Sequence, residues 1–177
     1  MGTTTQGAGV KTGSESTPRA ILELTGEAVL LNARSKTKAP TEKNWPTITL
    51  ADMTGHYLGK LTSNIGVSLG APSNGLHSID CDDDQFFEEL GRLNPRFTDT
   101  LQSHGSRGGN YWIRIDGEYP KSGKIRLRDP EGQVGEWRST GNQTIIHGIH
   151  PKGIEYRNNG KKVIALRFDE IQWPDAW

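Results

Sequence analysis

Short β-prone runs punctuated by glycine and proline fill the chain from about residue 64 onward, and this spacing limits the fold more than any other feature. Residues 64–69 and 76–82 flank the turn-forming Ala71-Pro72-Ser73-Asn74-Gly75, which predicts two strands. Further strands are expected at 97–101, 110–115, 125–128, 134–138 and 144–147, with a strand-like run at 163–168. One helix interrupts them. Phe86, Phe87, Leu90 and Leu93 share a helical face, Asp83 or Asp84 can cap its start, and Asn94-Pro95 ends it. Upstream, residues 20–31 read as a helix followed by a strand, 36–45 as a loop, and Thr49 as the cap of a short helix through Leu61. Helices early and strands clustered later define an α+β class, with helices on one sheet face and the other face open for a substrate.

A chain of 177 residues fits one domain. Residues 1–18, rich in Gly, Thr and Ser, bury too little apolar surface to offset ordering and read as a flexible leader, which leaves 19–177 as the domain. No apolar run approaches the roughly 18 residues of a membrane span, so no membrane partner is expected. The lone Cys81 cannot form an internal disulfide, and the N-terminus lacks a secretion pattern, so a cytoplasmic location is expected. Basic and acidic residues balance at 21 each, so any contact with a polyanion must rest on a local patch.

Asp80 and Asp82 close the run 76–82, and the two-residue period of a strand points both carboxylates to one side while Ile79 and Cys81 face the core. Paired carboxylates repel unless a cation sits between them, which suits Mg2+ or Mn2+; equally, Asp82-Asp83-Asp84 suits the start of the following helix. Val134, Glu136 and Arg138 share a strand face in the same way, so Glu136 is either a third metal ligand or half of a surface Glu-x-Arg pair. Residues 102–110, Gln-Ser-His-Gly-Ser-Arg-Gly-Gly-Asn, form a loop suited to phosphate, although the Lys-Ser/Thr ending of a Walker A loop is absent. If Asn110 faces the open side, then Trp112 and Arg114 do too, where Arg114 reaches a triphosphate and Trp112 a base. His147 and His150 lie together in a turn, as substrate contacts or as plain hydrogen-bonded histidines.

Taken in order, these segments resemble the bifunctional primase-polymerase domain of the archaeo-eukaryotic primase superfamily, found in phage, plasmid and bacterial replication proteins. The likeness spans roughly residues 28–157: Lys38-Ala39-Pro40 with Trp45 and Thr47, Asn64-Ile65-Gly66-Val67 with Gly70, and the Ser78-to-Asp82 motif. It continues through Ser106-Arg107-Gly108-Gly109-Asn110, Gly135-Glu136-Trp137-Arg138 and His150-Pro151-Lys152-Gly153 with Tyr156. The resemblance implies an RRM-like mixed or antiparallel sheet with an open catalytic face. It implies Asp80, Asp82 and Glu136 as ligands of two Mg2+ or Mn2+ ions, and template-dependent nucleotidyl transfer. Lys38, Ser106, Arg107, Gly108, Asn110, Arg114, Arg138 and His150 would hold the nucleotide. DNA template and primer with ribo- or deoxynucleoside triphosphates would be the partners, and a helicase domain often follows in the family, so the chain is expected to be an N-terminal part of a replication protein. It departs from the family at Asn110, where a nucleotide-binding His is usual; Asn keeps hydrogen bonding but carries no charge. A non-catalytic binding module and a metal-dependent nuclease are the other readings of the same residues.

Overall fold

The computed structural model of the chain describes residues 16–126 and 132–174. Its elements are α1 (Ser16–Thr25), β1 (Val29–Ala33), α2 (Gly55–Leu58), β2 (Asn64–Ser68), β3 (Leu76–Cys81), α3 (Asp84–Leu93) and β4 (Gln102–His104). There follow β5 (Gly109–Ile115), β6 (Gly123–Arg126), β7 (Gln133–Arg138), β8 (Gln143–His147), β9 (Arg157–Asn158) and β10 (Ile164–Leu166). The strands make two sheets. A small antiparallel sheet runs β1-β2-β8; a larger one runs β6-β7-β3-β5-β4-β9, with β10 added parallel to β5. The architecture is α+β, as the order of helical and strand-like runs led one to expect. No helix among the described residues is long and apolar enough to cross a membrane.

Alternation along β3 and β5 sorts their side chains between two cores. Ile79, Cys81, Tyr111, Ile113 and Ile115 face α3, where Phe86 and Leu90 bury against them together with Phe97 and Trp137. Leu76 and Trp112 face the other way, into a second core built from Leu30, Ile65, Val67 and Ile146 of the small sheet and Ile21 of α1. The second face of the large sheet is therefore not wholly open. The small sheet covers its Leu76–Trp112 end, and Asp80 and Glu136, both half-buried, lie at the other end beside the buried Asn110.

The two strands expected on either side of the 71–75 turn both form, as β2 and β3, and that turn, with positive φ at Gly70 (74°), Asn74 (50°) and Gly75 (75°), carries the chain from the small sheet to the large one. Several local expectations change. The strand expected at 97–101 is a 3-10 turn, Pro95–Asp99, closed by the Phe97 amide donating to the Asn94 carbonyl at 2.8 Å. Proline fixes the turn's first dihedral, and one buried aromatic at Phe97 gives the segment an inward anchor without a ladder partner. The pairing appears later, in β4, inside the segment expected to be loop. The helix expected from Thr49 to Leu61 divides: Thr49 and Asp52 form a reciprocal cap around 50–52, and the Thr54 hydroxyl accepts from the Tyr57 amide to begin α2. At the N-terminus α1 starts at Ser16 and buries Pro18, so residues 16–18 belong to the fold rather than to the leader. Residues 1–15, and 127–128 of the expected strand at 125–128, lie outside the described residues.

Candidate functional site

Three strands bring the site together. In register across the large sheet, Asn110 of β5 and Glu136 of β7 both stand opposite Asp80 of β3. One step along, Ser78 lies between Trp112 and Arg138. Asn110 accepts through its Oδ1 from the Ser78 hydroxyl at 2.8 Å, and Thr144 of β8 lies 3.3 Å from the same Ser78 oxygen. That buried chain fixes the carboxamide and directs its N–H donors away from Ser78.

Arg138 holds the carboxylates together. Its Nη2 lies 2.6 Å from Asp80 Oδ2 and 3.0 Å from Glu136 Oε2, and its Nε donates to Glu136 Oε2 at 3.0 Å. Asp82, just past β3, accepts from Gln133 Nε2 at 3.3 Å, while the same amide lies 3.5 Å from Glu136 Oε1. Burial pushes Asp80 above the usual carboxylate range; Arg138 and Lys38 oppose that, and Asp82 and Glu136 add to it. The direction shows which effect wins: even a 2.6 Å contact with a guanidinium does not fully replace lost hydration.

Beside this row lies a cleft of about 210 Å3. Asp80, Asp82 and Asn110 line it from the sheet side, and Lys38, Ser106, Arg107, His150 and Lys152 from the surrounding loops. The loop carrying Ser106 and Arg107 is anchored by the Gly108 amide donating to Asp84 Oδ1 at 2.7 Å, and His104 Nδ1 lies 2.8 Å from the Gly108 carbonyl. Only glycine fits at 108: its φ is 57°, and a Cβ there would stand 2.0 Å from the Cys81 carbonyl oxygen. Gly108 thus serves the site by shaping its loop. On the far side, segment 148–156 folds back on itself, with the Tyr156 amide donating to the Gly148 carbonyl at 2.9 Å. This brings Tyr156 into the cleft lining, its ring edge-on to His150 at 5.6 Å. Burial, with Asp80 nearby, pushes the Tyr156 phenol up to about 12, and its buried hydroxyl has no hydrogen-bond partner among the described residues. Burial pulls His150 below its ordinary value, and Lys38 and Lys152 pull it further.

Arg114 and Trp112 are not at the cleft. Arg114 donates through Nη1 to the carbonyls of Ser73 (2.7 Å) and Asn74, and through Nη2 to those of Thr25 (2.8 Å) and Glu27 (3.0 Å), tying the 71–74 turn to the end of α1. Four of its five N–H donors are engaged in this way, which leaves at most one for a triphosphate. Trp112 is fully buried, and its Nε1 donates to the Ser103 hydroxyl at 2.8 Å. Alternation did place both on the Asn110 face, but the small sheet covers their end of it. Lys152, Tyr156, Gln133, Ser78 and Thr144 join the site without having been singled out as site residues. Lys152, Tyr156 and Ser78 lay in motifs of the family likeness, whereas Gln133 and Thr144 needed strand register to be found.

Among the described residues, no group of three or more His, Cys, Asp or Glu side chains that could hold a metal ion is formed. Arg138 separates Asp80 from Glu136, and Gln133 stands between Glu136 and Asp82. In kind the donors suit Mg2+ or Mn2+, being oxygen ligands on adjacent strands that already require a positive counter-charge. No family model matches the chain, and no curated protein matches it.

Proposed function

We propose that the cleft binds a nucleoside triphosphate with its divalent cation, and that the chain is the nucleotidyl-transfer domain of a primase-polymerase. One observation carries the reading: acidic Asp80, with Glu136 and Asn110 in register beside it, adjoins a cleft also lined by Lys38, Arg107, His150 and Lys152. Carboxylates on one side and cations on the other match a metal ion bridging to phosphate oxygens. The cleft's 210 Å3 falls below the roughly 300–1,000 Å3 of pockets that enclose a whole drug-sized ligand, so it suits the phosphates and leaves the base outside, toward a template strand.

Asp80, Asp82 and Glu136 would hold the cations, which supply charge neutralisation and an activated hydroxyl when bound. Lys38, Arg107 and Lys152 grip phosphate oxygens, Ser106 and Asn110 donate hydrogen bonds to them, and His150 donates when protonated or as the appropriate tautomer. In the reaction a 3′-oxygen bonds to the α-phosphorus, the bond from that phosphorus to the bridging oxygen breaks, pyrophosphate leaves, and the hydroxyl proton is lost to solvent. Asp80→Ala combined with Asp82→Ala is expected to abolish Mn2+-dependent primer extension on a defined template; undiminished extension by the folded double variant rejects the assignment. A second reading, a nucleotide-binding module without catalysis, draws on Arg138 filling the space between two of the three carboxylates. Binding of labelled nucleotide or DNA with no strand extension in either metal supports that module.

A further inference from the structure

Arg138 occupies the position that a cation needs. Two carboxylates on neighbouring strands cannot both stay ionised in a partly buried site without a positive partner, and the guanidinium serves both at once. Its side chain is 18% exposed and Asp80's is 16% exposed, so the pair is shielded yet not sealed. Among the described residues, the other hydrogen bond of Arg138 is weak, Nη1 to the Thr144 hydroxyl at 3.4 Å, so the carboxylates supply most of the polar contacts that retain it. A guanidinium binds phosphate oxygens with the same planar fork that it offers to carboxylates. Tyr156 lines the cleft with Asp80 from another element, and its buried hydroxyl lacks a hydrogen-bond partner among the described residues. A buried polar group left unsatisfied at a cleft wall fits a site that receives a ligand, an ion or a water there.

We propose that Arg138 is a positioning residue that couples cation binding to nucleotide binding. With the cleft unliganded it bridges Asp80 and Glu136 and keeps a divalent cation off them; phosphates entering beside it draw the guanidinium away and free the carboxylates. The proposal rests on the nucleotide-site reading above. It requires the metal alone to bind weakly, and it gives one side chain opposite effects on the two ligands.

Calorimetric titration of the full chain with Mn2+ alone, and separately with inorganic triphosphate alone, tests this. R138Q is expected to bind Mn2+ about tenfold more tightly than wild type and triphosphate several-fold more weakly, within the range of ordinary coupling between sites. K38Q removes an equal charge from the cleft lining without releasing a carboxylate, and its gain in Mn2+ affinity is expected to stay below about threefold, as exposed charges are screened. R138K keeps the charge but loses the bridging fork; it too is expected to bind Mn2+ more tightly than wild type, and it serves if R138Q does not fold. Wild-type affinity for Mn2+ equal to that of the folded Arg138 variants, or an equal gain in K38Q, overturns the coupling while leaving the nucleotide site in place. Failure of wild type to bind triphosphate, with Mn2+ bound by none of the proteins, overturns the nucleotide-site reading together with the coupling.

Discussion

His77 is a buried histidine that the site does not use, and its surroundings decide its charge. Its Nδ1 lies 2.7 Å from the Gly75 carbonyl and its Nε2 3.1 Å from the Ser139 hydroxyl, while the ring stacks on Trp137 at 4.7 Å and meets the edge of Tyr119 at 4.2 Å. Burial lowers its pKa to about 4, with Arg114 adding to the effect and the Gly75 hydrogen bond opposing it. In the unfolded chain the same side chain takes up a proton near the ordinary histidine value, so in the interval between the two values the unfolded state binds more protons. Stability is therefore complete above about pH 6.5 and falls as the pH drops toward 4, by up to about 3 kcal/mol at 1.36 kcal/mol per pKa unit. Urea denaturation is expected to show a wild-type midpoint that declines between about pH 6.5 and pH 5, above the carboxylate range, and a H77Q midpoint nearly flat there. Parallel declines in the two proteins would assign the acid sensitivity elsewhere. A strand-face reading placed Ile79 and Cys81 toward the core, and His77 follows them by the same alternation; what no pattern could tell is that two hydrogen bonds and two rings would make that place tolerable for an imidazole.

The start of α3 separates three successive aspartates into different tasks. Asp83 is the cap, its Oδ1 accepting from the Phe86 amide at 2.7 Å; Asp84 accepts from the Gly108 amide and so steadies the cleft loop; Asp82 lines the cleft. Asp83→Ala is expected to cost about 1 kcal/mol of stability, the usual cost of losing a cap, and to leave nucleotide affinity within about twofold. Asp82→Ala is expected to do the reverse, with a near-constant melting temperature and a large loss of metal-dependent binding; thermal melts and calorimetry on the two variants decide it. The helix itself was legible because Phe86, Leu90 and the cap signals agree with one another. The site was legible only halfway. Period-two alternation put Asp80 with Asp82, and Glu136 with Arg138, on shared faces, but alternation within a strand says nothing about which residue of the next strand stands opposite. That Asp80 faces both Glu136 and Asn110 is a matter of register, fixed by pairing between residues far apart in the chain. The same gap explains Arg114 and Trp112. Their face was given correctly, and the cover over their end of it comes from β1, β2 and β8, whose assembly into a separate sheet leaves no short-range trace.

At the scale of the molecule, two sheets confine the accessible polar surface of the site to one end, and the charge distribution follows the same confinement. With 21 basic and 21 acidic residues the whole chain offers no net charge to attract a polyanion, and physiological salt largely screens charges more than about 8 Å away. If nucleic acid is gripped at this cleft, its affinity must come from the few cations that line it, Lys38, Arg107 and Lys152, with Arg138 reserved for the carboxylates or the incoming phosphates. Single strands lose affinity with a slope of roughly −0.7 in log K against log salt for each phosphate neutralised, so about three contacts give a slope near −2. Fluorescence anisotropy of a labelled single-stranded oligonucleotide across a salt series measures it directly. Lys38→Gln and Lys152→Gln are each expected to flatten the slope by roughly 0.7. A wild-type slope near −5, unchanged by both substitutions, would place the contact on a surface outside the cleft, since three cations cannot displace that many counterions.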